Sequence, residues 1–172
     1  MAGTRLTYLI CFDDHRTFTE DVRKRFSDNT RYEVVSFTSQ NDFIENFRKE
    51  RDKNDCKVAI IGVPDNKDQY ESVGNLGMEI KRSDPESGII LLAAPDKIDD
   101  LKKAVRYNID SYIPRNANTI LRLHNTVKKL ISEHSITVFR RKRNFSLYVL
   151  LGFLVAAGIL ILIAWLKFPQ YF

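Results

Sequence analysis

The chain has 172 residues, 28% of them charged, and a formal net charge of +5. All 22 acidic side chains lie within residues 1–139 and are matched there by as many basic ones, so the excess positive charge sits beyond that point. A neutral N-terminal region excludes nucleic-acid binding driven by charge, and two cysteines with three scattered histidines exclude a Cys/His metal or catalytic cluster.

Residues 6–12 (LTYLICF) form a continuous apolar run, as expected of a strand buried on both faces. Residues 16–27 place Phe18, Val22 and Phe26 four apart, one stripe of an amphipathic helix. A strand is expected over 32–37 (YEVVSF), then a helix over 41–51 with Phe43, Ile44 and Phe47 on one side. Residues 57–63 (KVAIIGV) read as a short buried strand, followed by a loop rich in Pro, Asp, Asn and Gly. A helix around 76–82 leads to a buried strand over 88–94 (GIILLAA). The spacing predicts a helix over 98–108, with Ile98, Leu101, Ala104 and Val105 facing inward, and a last strand over 110–113. From residue 118 a helix begins, with Ile120, Leu123, Val127 and Leu130 on its apolar face. Five βα units predict a doubly wound, five-stranded parallel sheet with helices on both faces. Cys11 and Cys56 lie in or beside strand runs and read as packed thiols of a reducing compartment.

Residues 146–166 (SLYVLLGFLVAAGILILIAWL) hold neither charge nor proline. At about 1.5 Å per residue such a run covers a hydrocarbon core of about 30 Å, so a transmembrane helix is expected. Arg140, Arg141, Lys142 and Arg143 precede it, and Lys167 with five uncharged residues follows. Cytoplasmic flanks are rich in Lys and Arg, which predicts a single-pass, tail-anchored protein with its N-terminal domain in the cytoplasm. Trp165 and Tyr171 suit the far interface, and Tyr148 the near one. Gly152 and Ala156 form a small-xxx-small pair for close helix packing. No proline stands between Asn116 and Trp165. The last helix therefore either breaks over 132–139, where helix formers are weakest, or runs straight into the membrane. The expected organisation is a domain over 1–131, a basic juxtamembrane segment over 132–144, the membrane helix over 145–167 and a tail over 168–172.

The stretch CFDDHRTFTEDVRKRF, together with SDPESGIILLAAPDKIDDLKKAVRYNIDSYIPR, resembles the receiver domain of bacterial two-component response regulators. The resemblance covers roughly residues 4–131. It implies the receiver, flavodoxin-like fold, and a site in which an acidic pair holds Mg²⁺ while an aspartate ending the third strand accepts a phosphoryl group. Asp13 and Asp14 match the acidic pair. The acceptor position falls on Gly62, the hydroxyl position on Ala93, and the lysine position on Arg115, which keeps the charge without the compact ammonium. Asp14 also suits a cap for the helix that follows. Asn108 replaces the family's glycine after the fourth helix, as a residue tolerant of a left-handed backbone. The resemblance thus implies a pseudo-receiver with no cofactor beyond, at most, weak Mg²⁺ binding. The alternative is a phosphorylatable switch using Asp65 or Asp68 as a displaced acceptor.

In the receiver family the face of the fourth helix, fifth strand and fifth helix carries dimer and partner contacts. By that resemblance Lys102, Arg106, Tyr107, Tyr112, Arg122 and Asn125 form the expected interaction face. With the bacterial resemblance, the expectation is a non-enzymatic docking or regulatory subunit of an assembly or signalling pathway at the bacterial inner membrane. Its partners would be a membrane protein, a second copy or both, besides the lipid bilayer, with neither nucleic acid nor a small-molecule substrate.

Overall fold

A computed structural model describes residues 6–27, 30–49, 55–105 and 108–167, with backbone alone at 142 and from 160 onward. Two compact units result, Met1–His134 and Ser135–Phe172. Arg106, Tyr107 and the tail over 168–172 lie outside the described residues, as do the side chains of Lys142 and Trp165.

In the first unit five strands alternate with helices. They are β1 (Thr7–Phe12), α1 (Arg16–Ser27), β2 (Tyr32–Phe37), α2 (Gln40–Arg48), β3 (Cys56–Gly62), α3 (Tyr70–Ser83), β4 (Gly88–Ala93), α4 (Ile98–Ala104) and β5 (Ser111–Pro114), followed by α5 (Thr119–Lys167). All strand pairs are parallel, in the order β2-β1-β3-β4-β5. This is the doubly wound parallel sheet that the apolar runs predict, in the receiver, flavodoxin-like order that the resemblance implies.

Side chains alternate along each strand, so the sheet has two cores. Ile10, Ala59, Ile61, Ile89 and Leu91 face α2, α3 and α4, where Phe43, Phe47, Leu76, Ile80 and Leu101 cover them. Leu9, Cys11, Val58, Ile60, Ile90 and Leu92 face α1 and α5, under Val22, Phe26, Leu123 and Val127. Each fully buried aliphatic or aromatic side chain stabilises the fold by about 1.5–3 kcal/mol relative to exposure. Both cysteines are buried and free. Burial pushes each thiol from 9.0 up to about 12, with nearby carboxylates adding to the effect.

Some boundaries differ from those expected. Helix α3 starts at Tyr70, inside the stretch whose composition predicts a loop, because Tyr70 and Val73 extend its buried stripe to Leu76 and Ile80. Helix α4 ends at Ala104 rather than 108: Val105 has left the helix (φ −121°, ψ 84°) while its amide still bonds to Leu101 O at 2.8 Å. Ala104 is exposed, not inward-facing. Asn108 adopts φ 67°, the left-handed conformation expected of it. Helix α5 shows no break over 132–139.

Among the described residues one helix, over Thr119–Ile159, is long and apolar enough to cross a membrane. None of its most apolar window is buried against protein. Leu147, Val149, Leu150, Leu151, Phe153, Leu154 and Val155 are each more than half exposed. Gly152 and Ala156 are exposed with them, and nothing lies within 4 Å of where a Cβ on Gly152 would stand.

Candidate functional site at the carboxyl end of the sheet

Asp13 follows β1, Gly62 ends β3, Ala93 ends β4 and Arg115 follows β5. The parallel register brings all four to one end of the sheet. Asp13 is the buried member of the acidic pair, its side chain wholly inaccessible, whereas Asp14 is exposed.

The Asp13 carboxylate is fully engaged within the protein. Its Oδ1 accepts from the His15 backbone N–H at 2.8 Å, with the His15 ring Nδ1 at 3.2 Å. Its Oδ2 accepts from Arg115 Nη2 at 2.6 Å, and the Arg115 side chain is 23% exposed. Asp13, rather than Asp14, therefore serves the backbone at the entry to α1. Arg115 is fixed from both ends. Its backbone N–H donates to Ala93 O at 2.8 Å, and its guanidinium lies 5.7 Å from the Phe18 ring centroid. Thr119 locks the following turn: its Oγ1 accepts from Asn116 N at 2.7 Å, and its hydroxyl has Asn116 O at 2.6 Å and Pro114 O at 2.9 Å as acceptors.

This pair occupies the space over Gly62. A Cβ placed there would stand 2.6 Å from Asp13 Oδ2 and 2.7 Å from Asp13 Cγ, with Arg115 Nη2 closer still. The side chain missing at 62 and the longer cation at 115 are complementary, so the site is closed by an internal ion pair. Ala93, 1% exposed, offers no hydroxyl. No side chain here can accept a phosphoryl group at the end of β3. A divalent ion would compete with His15 and Arg115 for the Asp13 oxygens, and Gly62 offers it no carboxylate. Among the described residues no group of three His, Cys, Asp or Glu side chains is placed to hold a metal. Asp65 and Asp68 lie exposed in the loop after β3, where the Asp68 N–H donates to Asn66 Oδ1 at 3.2 Å.

Beside the pair opens a cleft of about 360 Å³, lined by residues including Asp14, Thr38, Gln40, Gln69 and Ser72. Apart from Asp14, these polar residues are not legible as a site in the sequence, because they come from segments that meet only through the crossovers.

On the expected interaction face, Lys102 is exposed, with Nζ 3.7 Å from Asp99. Tyr112 is half-buried and its hydroxyl donates to Val105 O, tying β5 to the end of α4. Burial raises the Tyr112 pKa above its ordinary value of 10.0. Arg122 and Asn125 are exposed on α5. The structure thus brings Tyr112, Lys102, Arg122 and Asn125 to α4, β5 and α5, while Arg106 and Tyr107 lie outside the described residues. In the second unit, Arg140, Arg141 and Arg143 are exposed.

No protein-family profile and no curated protein matches the sequence. Solved structures do match. An adenylate cyclase from Rhodopirellula baltica aligns with a TM-score of 0.62 at 11% identity, over 80% of this chain and 96% of that one. A response regulator receiver domain from Clostridium thermocellum aligns at 0.59 and 17% identity, over 77% and 98%. A response regulator from Thermotoga maritima aligns at 0.56 and 19%, over 74% and 98%. At these identities the likeness establishes the fold, which is that of receiver domains.

Proposed function

We propose that this chain is a membrane-anchored pseudo-receiver, a non-enzymatic docking or regulatory module that works by protein contact rather than by phosphoryl transfer. The observation that carries this reading is the Arg115–Asp13 pair seated over Gly62. In the receiver fold that position is where a carboxylate would receive the phosphoryl group, and here the space is filled by a cation already bound to its counter-ion. A receiver domain without an acceptor retains its surface. The α4–β5–α5 face is accordingly the proposed contact surface, for a membrane protein or a second copy, and the apolar part of α5 is the proposed membrane anchor. The RRKR cluster before the apolar run supports a cytoplasmic location for the first unit. Confinement to the bilayer raises effective concentration, so a weak contact gives high occupancy.

The test uses the full chain in detergent, incubated with acetyl phosphate and Mg²⁺. Intact-mass measurement should show no acid-labile phosphoryl increment, for the native chain and for Gly62→Asp alike. The variant fails because its new carboxylate must displace the ion pair and still meets Ala93. An increment mapped to Asp65 or Asp68 would instead establish the displaced-acceptor switch.

A further inference from the structure

We infer that the cleft beside the ion pair is a binding site for a small nitrogen heterocycle, neutral or singly cationic, of about nucleoside size and lacking phosphate. The inference goes beyond the docking role proposed above.

Position is the first argument. In the order β2-β1-β3-β4-β5 the chain steps from β1 outward to β2 and then crosses back past β1 to β3, so the direction of winding reverses beside β1. Open parallel sheets leave a crevice beyond the carboxyl ends of the strands at such a reversal, and ligands settle there. The cleft lies over this point, lined by the ends of β1, β2 and β3 and by the first turns of α3. Its volume of about 360 Å³ falls within the roughly 300–1,000 Å³ usual for small-molecule sites.

Lining chemistry is the second argument. Phe12, Val73 and Leu76 supply an apolar surface, Phe12 half-buried and the other two buried. Around it stand two hydroxyls (Thr38, Ser72), two amides (Gln40, Gln69) and the Asp14 carboxylate. Among the described residues, no hydrogen bond or ion pair occupies these five side chains. An apolar floor with a few free donors and acceptors suits a flat ring that carries polar edges.

Charge is the third. Among the described residues no Lys or Arg lines the cleft, and Arg115, which stands over Gly62, is spent on Asp13. Asp14 is left as the uncompensated charge. It attracts an N–H donor or a protonated amine and repels a phosphate. The cleft therefore selects against the anionic chemistry that the receiver fold ordinarily serves at this end of the sheet.

The test is saturation-transfer difference NMR on the full chain in detergent micelles, with adenosine, cytidine and histamine as probes and adenosine monophosphate as the anionic control. At least one of the three probes should receive saturation, with the monophosphate receiving at least fivefold less than adenosine where adenosine binds. Ser72→Tyr fills the cleft from an exposed position in α3, so the core stays intact, and it should abolish the transfer while the methyl spectrum is unchanged. Asp14→Asn should weaken histamine more than adenosine. Silence from all three probes at millimolar concentration, equal transfer in Ser72→Tyr, or a monophosphate that binds as well as its nucleoside would overturn the inference. Phosphoryl labelling is read separately by mass, so a chain that accepts phosphate yet binds a probe refutes only the docking reading.

Discussion

Replacing Gly62 with alanine tests whether the Arg115–Asp13 pair truly fills the acceptor position. In a strand with room for a methyl group, Gly→Ala should stabilise by about 0.5–1 kcal/mol, because glycine loses the most conformational freedom on folding. Here the new Cβ would stand 2.6 Å from Asp13 Oδ2 and nearer still to Arg115 Nη2, well inside ordinary contact distance. Asp13 is buried and bonded to His15, and Arg115 is bonded to Asp13, so both partners of the pair must shift. Overpacking of this kind costs about 1–3 kcal/mol, and the partial exposure of Arg115 places the expected loss near 2 kcal/mol, roughly a 30-fold change in the unfolding equilibrium. Hydrogen–deuterium exchange of the β3 peptide, residues 56–62, reads this directly, since central strand amides exchange through global opening. In an Arg115→Ala background the closest obstacle is gone, and the same substitution should cost about 1 kcal/mol less. A stabilising Gly62→Ala, or two backgrounds that respond alike, would refute the idea that the pair occupies this space.

Three further outcomes follow from the structure. Both thiols are raised from 9.0 to about 12 by burial, so the folded state holds protons that the unfolded state releases. Their contribution is fully present below pH 9 and is lost as pH rises toward 12; urea midpoints should fall across that window, and iodoacetamide at pH 8 should label neither cysteine until the domain unfolds. Protease added outside spheroplasts should leave residues 1–139 intact, whereas digestion there would reverse the proposed orientation. Truncation at Phe139 should release the first unit into the soluble fraction and abolish complementation of a deletion strain; full complementation by the soluble fragment would remove the need for the anchor.

Much of this protein is legible in the order of its residues. The runs LTYLICF, KVAIIGV and GIILLAA read as strands buried on both faces, because they are almost continuously apolar, and parallel strands of that kind require crossover helices. The apolar stretch over 146–166 is equally plain, being free of charge and proline, and among the described residues its most apolar window has no protein cover. Boundaries were less legible where burial overrode composition. The loop-like segment before Leu76 starts a helix at Tyr70 because Tyr70 and Val73 reach the core, and α4 stops at Ala104 because Val105 turns inward to pack.

The candidate site divides along the same line. The sequence by itself determined which groups are missing, since Gly62 has no side chain and Ala93 no hydroxyl wherever the fold places them. What replaced them was decided only in three dimensions. Asp13 and Arg115 are separated by 102 positions, and neither residue alone announces that the other will neutralise it. Parallel pairing of β1, β3, β4 and β5 brings their ends together, and the vacancy left by one absent side chain is the space that a longer cation two strands away can reach. Local patterning records what each segment must bury; the pairing of charges and the lining of a cleft depend on distances between segments, and those exist only once the sheet has closed the chain upon itself.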